Sequence, residues 1–127
     1  MAIDFLDIHD LLEIGNALIP DFRVRDIGLL EAAAARPQTS VFGDDAYESF
    51  NLKAASLMHS LARNHPLIDG NKRLSWAATR TFCLLNGFDI FNDVDSAEKI
   101  VLATATGTFD VRSEEHTSEL QSRQCIS

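Results

Sequence analysis

The chain has 127 residues, 46% hydrophobic and 24% charged, which suits one globular domain and is too short for two ordinary ones. Asp and Glu number 19 against 11 Lys and Arg, a formal net charge of -8. A general affinity for nucleic-acid backbone or anionic membrane is therefore excluded, and any phosphate site must be local.

The hydrophobic periodicity is helical almost throughout. Phe5, Ile8 and Leu12, with Leu6 and Leu11, predict an amphipathic helix over about 3–16, with Asp4 near its start and Pro20 beyond its end. A second helix is expected over about 27–35, stopped by Pro37. The turn formers between Gln38 and Asp45 read as an exposed loop or short hairpin. Tyr47, Phe50, Ala54, Leu57, Met58 and Leu61 share one helical face and predict a third helix ending near Asn64. A fourth, over about 70–86, closes at Gly87; its apolar content, Trp76, Phe82 and Cys83 included, marks it as the central helix of a bundle. Phe88 to Phe91 reads as a short extended link. Asp95 and Glu98 resemble a capping box for a last helix through Ala105, with Gly107 after it. The final sixteen residues, Arg112 to Ser127, match a translated sequencing adapter and are set apart as non-native; the domain is expected to occupy 1–111, with its C-terminal element missing. No apolar run approaches the roughly 20 residues of a membrane span, and the acidic start is unlike a signal peptide, so a soluble cytoplasmic protein is expected. Cys83 and Cys125 form no CxxC pair and suggest neither a disulfide framework nor a zinc site.

One stretch gathers chemistry: HPLIDGNKR, from His65 to Arg73, where one apolar helix stops and the next begins. A helix start offers unpaired N–H groups and a partial positive charge, and Gly70 with Asn71 lets those amides curl around an anion. Lys72 adds a point charge, and the guanidinium of Arg73 can hold two phosphate oxygens at once. Asp69 is a hard oxygen donor suited to a Mg²⁺ ion shared with a di- or triphosphate. His65 suits a general base, because imidazole as a residue type titrates near neutrality. A plain helix cap, with solvated cations and an ordinary loop histidine, accounts for the same residues equally well at this level. Neither GxxxxGK[ST] nor GxGxxG occurs, so the common nucleotide folds do not explain the cluster.

The run closely resembles the signature of the Fic/Doc superfamily, His-x-Phe-x-Asp/Glu-x-Asn-x-Arg, and Lys72 is the feature of its Doc (death-on-curing) toxin branch. The resemblance extends through IHDLL (Ile8 to Leu12), LLEAAAARPQ (Leu29 to Gln38) and FCLLNGFDI (Phe82 to Ile90), and covers about Phe5 to Val111. It implies an all-α, compact Fic/Doc-type helical bundle with a short flap or hairpin loop that guides the target segment. By position it implies His65 as catalytic base, Asp69 as the Mg²⁺ ligand, and Gly70, Asn71, Lys72 and Arg73 as the nucleotide phosphate grip. Adenylyl-transferring relatives carry Gly at the position of Lys72 and often a second Arg at that of Trp76; both differences favour the Doc branch. The implied activity is transfer of the γ-phosphoryl group of ATP to a hydroxyl of translation elongation factor Tu, with a small antitoxin bearing a disordered tail as partner, and with neither nucleic acid nor membrane. The alternatives are AMP transfer of the Fic type and a catalytically weak antitoxin-binding module. The last is suggested by Leu67, where the family has Phe, a smaller anchor for the catalytic loop. His9 and His59 lack a second ligand at metal spacing and read as polar helix residues.

Overall fold

The computed structural model describes residues 2–87, 89–90 and 94–106. Among the described residues, five helices run in order: α1 (Ile8–Leu18), α2 (Ile27–Ala35), α3 (Phe50–Arg63), α4 (Asn71–Leu85) and α5 (Val94–Thr106). A single 3-10 turn, Arg36–Gln38, and a two-stranded antiparallel hairpin, β1 (Ser40–Val41) and β2 (Asp44–Asp45), join α2 to α3. The all-α bundle with a short hairpin is therefore the observed fold, and no helix among the described residues is long and apolar enough to cross a membrane.

Local chemistry places most helix ends. Asp26 caps α2 by accepting from the Leu29 N–H at 3.2 Å, and Ser49 caps α3 through the Leu52 N–H at 3.1 Å. Tyr47 follows the apolar spacing of α3 but lies before its cap, in the buried segment leaving the hairpin. Gly87, with φ +100, takes the left-handed position after α4. Asp95 stands inside the first turn of α5, not at its cap, where its charge faces the positive helix end.

The first helix, expected over about 3–16, starts five residues later, at Ile8, and runs two residues further, to Leu18. Asp7 and Asp10 form a reciprocal capping box, each carboxylate accepting the other's backbone N–H at 2.9 Å. The Asp10 N–H holds the Asp7 carboxyl below its ordinary pKa, with the Asp10 side chain and His9 helping against some desolvation. The residues before it stay outside the helix, where the backbone groups of Asp4 are taken elsewhere. The Asn86 amide pairs with both the N–H and the C=O of Asp4, each at 2.9 Å, while Phe5 stacks on Phe82 with ring centroids 5.8 Å apart.

The central helix is α3, where α4 was expected. Ala54, Ala55, Ser56 and Ser60 are small enough for neighbours to approach closely, and α2, α4, α5 and the 3-10 turn all pack against α3. On α4 only the face carrying Leu74, Ala78, Phe82 and Cys83 is buried, and Trp76, Leu84 and Leu85 are exposed. Burial pushes the Cys83 thiol up to about 12, which makes it an inert core group. Gly107, Phe88, Phe91, the domain end at Val111 and the tail from Arg112 to Ser127 lie outside the described residues.

Two polar clusters brace the hairpin region. Lys53 on α3 is 3% exposed, and its ammonium donates to the Asp45 carboxylate at 3.1 Å and to the backbone carbonyl of Tyr47. Arg36 donates to the Tyr47 hydroxyl at 2.7 Å and to Ser60 Oγ at 2.9 Å, and stands 3.0 Å from His59 Nδ1. Since a guanidinium only donates, Nδ1 of His59 is the acceptor and its imidazole is neutral.

Candidate functional site

The loop between α3 and α4 carries the polar run from His65 to Arg73, and its backbone is held by a segment far away in sequence. Val24 and Leu67 form an isolated antiparallel bridge. The Pro66 carbonyl accepts from the N–H groups of Arg25 and Asp26 at 2.7 and 3.0 Å, and the Ile68 N–H donates to the Arg23 carbonyl at 3.1 Å. Arg25 closes the clamp, its guanidinium donating to the carbonyls of His65 at 2.8 Å and Asn64 at 3.0 Å. So braced, His65 sits at φ +53, an uncommon conformation for a non-glycine residue.

Two side chains anchor the loop from inside. Leu67 is 1% exposed, so the smaller residue at the family's Phe position is still driven into the core. Asn71 staples it: Oδ1 accepts the Leu67 N–H at 2.8 Å, and Nδ2 donates to the Leu67 carbonyl at 3.0 Å. The Asn71 side chain is thus engaged within the loop, and its part in any anion site falls to its backbone N–H at the start of α4.

A cleft of ≈ 950 Å³ opens over this loop. His65, Asp69, Gly70, Asn71, Lys72 and Arg73 all line it, so the six residues singled out in sequence share one wall; Ile19, Pro20, Ile68 and Trp76 complete it. Gly70 has φ +88, and a Cβ there would lie 2.9 Å from Cδ1 of the buried Ile19, so the close approach of backbone to Ile19 also requires glycine. The side chains of Lys72, Arg73 and His65 are exposed, and none of them has a hydrogen bond or ion pair among the described residues. In an acidic chain, two unneutralised cations beside a helix N-terminus are chemically able to attract an anion locally.

Asp69, on the cleft wall, accepts the Gly70 N–H through Oδ1 at 2.9 Å, and its Oδ2 has no partner among the described residues. No group of three or more His, Cys, Asp or Glu side chains among the described residues could hold a metal by itself. One carboxylate fits Mg²⁺ that arrives with phosphate and water ligands of its own.

Sequence reasoning missed three participants. Arg25 acts across 40 residues, and no local pattern announces it. Lys53 sits on the buried side of α3, although lysine is rarely buried. Trp76, expected in the core, is 37% exposed on the cleft wall, because the face of α4 that turns inward is the one bearing Leu74 and Ala78.

The profile of the Fic/DOC family matches residues 3–83. Toxin Doc of Mycolicibacterium smegmatis is 49% identical over 113 residues, an alignment covering 87% of each chain. No solved structure gave a significant match.

Proposed function

The chain belongs to the Fic/DOC family, and from that premise we propose that it is a Doc-type toxin of a toxin–antitoxin system, a Mg²⁺- and ATP-dependent phosphotransferase acting on a hydroxyl of translation elongation factor Tu. The observation that carries the reading is the wall on which the exposed His65 stands beside the unpaired Lys72 and Arg73 at the start of α4. A family relationship of this kind supports a nucleotide-using transferase; the phosphoryl transfer, the target and the cytoplasmic setting are this proposal's own.

In the proposed step His65 removes the proton of the target hydroxyl as its oxygen bonds to the γ-phosphorus. The bond between that phosphorus and the bridging oxygen breaks, and ADP leaves with the electron pair. The backbone amides at Gly70 and Asn71, with Lys72 and Arg73, bear the negative charge that builds on the phosphoryl oxygens. Asp69 would hold the Mg²⁺ that accompanies the nucleotide, which neutralises phosphate charge when bound. Leu67, the Asn71 staple and the Arg25 clamp keep the base and the cradle in register. The buried Lys53 does the same for the hairpin, proposed to guide the target segment. The partner that restrains the toxin is a small antitoxin with a disordered tail.

The test is intact mass spectrometry of purified elongation factor Tu after incubation with this protein and Mg²⁺-ATP. A single phosphoryl gain that disappears with His65→Ala is the expected result. A gain of AMP would assign the protein to adenylyl transfer, and no gain with either nucleotide end would overturn elongation factor Tu as the target and leave a different target or a binding module.

A further inference from the structure

Trp76 is the chain's only tryptophan, and it stands where two hollows meet. One is the cationic cleft above α4. The other is a neighbouring groove of ≈ 760 Å³ whose wall is mainly apolar, formed by Ile90, Ala97, Val101 and Leu102 with Glu98 beside them. Trp76 follows Arg73 by one helical turn, on an adjoining part of the same face, and helical side chains lean toward the N-terminus, which brings the indole toward the cradle. Its ring is partly open, and its N–H has no hydrogen-bond partner among the described residues.

We propose that Trp76 is the base-binding surface of the nucleotide site, stacking a purine ring whose phosphate end lies over Gly70 to Arg73. The proposal rests on the nucleotide-transfer reading above and extends it to the other end of the ligand. A nucleotide is charged at one end and flat, aromatic and weakly polar at the other. The two hollows show that same division, and among the described residues Trp76 is the one side chain that lines both. An indole face attracts a heteroaromatic ring more strongly than an aliphatic wall does, and stacking tolerates the absence of a deep pocket. Glu98 on the groove wall offers an acceptor for the exocyclic amine of adenine.

The lone tryptophan reports on its own site. Wild-type protein is titrated, with Mg²⁺ present, against ATP and against inorganic tripolyphosphate, recording tryptophan emission and binding heat. Both ligands are expected to give binding heat, and only ATP to quench the emission. Trp76→Ala should weaken ATP by about tenfold or more while holding tripolyphosphate as wild type does, and Trp76→Phe should recover most of the ATP affinity. If ATP binds without changing the emission, or if Trp76→Ala binds ATP as tightly as wild type, the base subsite is refuted and the transfer reading stands without it. Absence of ATP binding heat in wild-type protein of intact circular dichroism removes both. Should Trp76→Ala fail to fold, Trp76→Phe and the wild-type emission decide the question.

Discussion

Asn71→Ala removes the staple that closes the catalytic loop and leaves the rest of α4 unchanged, since alanine is a good helix former. The lost bonds join the Asn71 amide to the N–H and C=O of Leu67, a residue 1% exposed. Each backbone group left buried without a partner costs about 1–3 kcal/mol. Asn71 itself is only half-buried, so water can reach part of the vacated space, and the expected total is about 2–4 kcal/mol. For a domain of this size that lowers Tm by roughly 8–16 °C. Urea unfolding followed by circular dichroism should show a lower midpoint at unchanged slope, and the Leu67 amide should exchange faster than its neighbours in α3. Asn71→Asp keeps an acceptor for the Leu67 N–H but sets a negative oxygen against the Leu67 carbonyl, so it should recover no more than half of the loss. A loss below about 0.5 kcal/mol for Asn71→Ala would refute the reasoning, because a loop held by this staple cannot give it up at so little cost.

Two further perturbations address the cradle and the brace behind the hairpin. Gly70→Ala forces a Cβ into the left-handed region and to within 2.9 Å of Ile19 Cδ1, so it should destabilise by about 2 kcal/mol in the same unfolding assay; a variant as stable as wild type would show that the backbone can rotate away. The His59 pKa is lowered by burial first, then by Arg36 and Arg63, so the unfolded chain takes up this proton before the folded one does. Stability from this group is therefore full above the unfolded value near 6.5 and is lost as pH falls from there toward the lower folded value. Urea midpoints measured from about pH 7.5 to about pH 5.5 should fall with a steeper slope in wild type than in His59→Gln, and equal slopes would count against a neutral, Arg36-facing imidazole.

What could be read in the sequence was whatever depends on neighbours along the chain. The stop at Pro37 and the left-handed Gly87 each act on backbone groups within a few residues, so residue type and spacing suffice to place them. The same holds for the run from His65 to Arg73, whose members fall on one wall because a loop and the first turn of a helix leave them little freedom to separate. Tertiary structure decided the rest. Periodicity could say that α4 is rich in apolar residues, but only packing against α3 determines that Leu74, Ala78 and Phe82 turn inward while Trp76 faces the cleft. Asn86, some eighty residues away, holds the backbone of Asp4 outside the helix, and α1 begins at its capping box. Lys53 tolerates burial because Asp45 and the Tyr47 carbonyl come to meet it from the hairpin, and Arg25 grips His65 and Asn64 across forty residues. These contacts join groups that are unrelated along the chain, and their energies exist only once the helices have closed around α3.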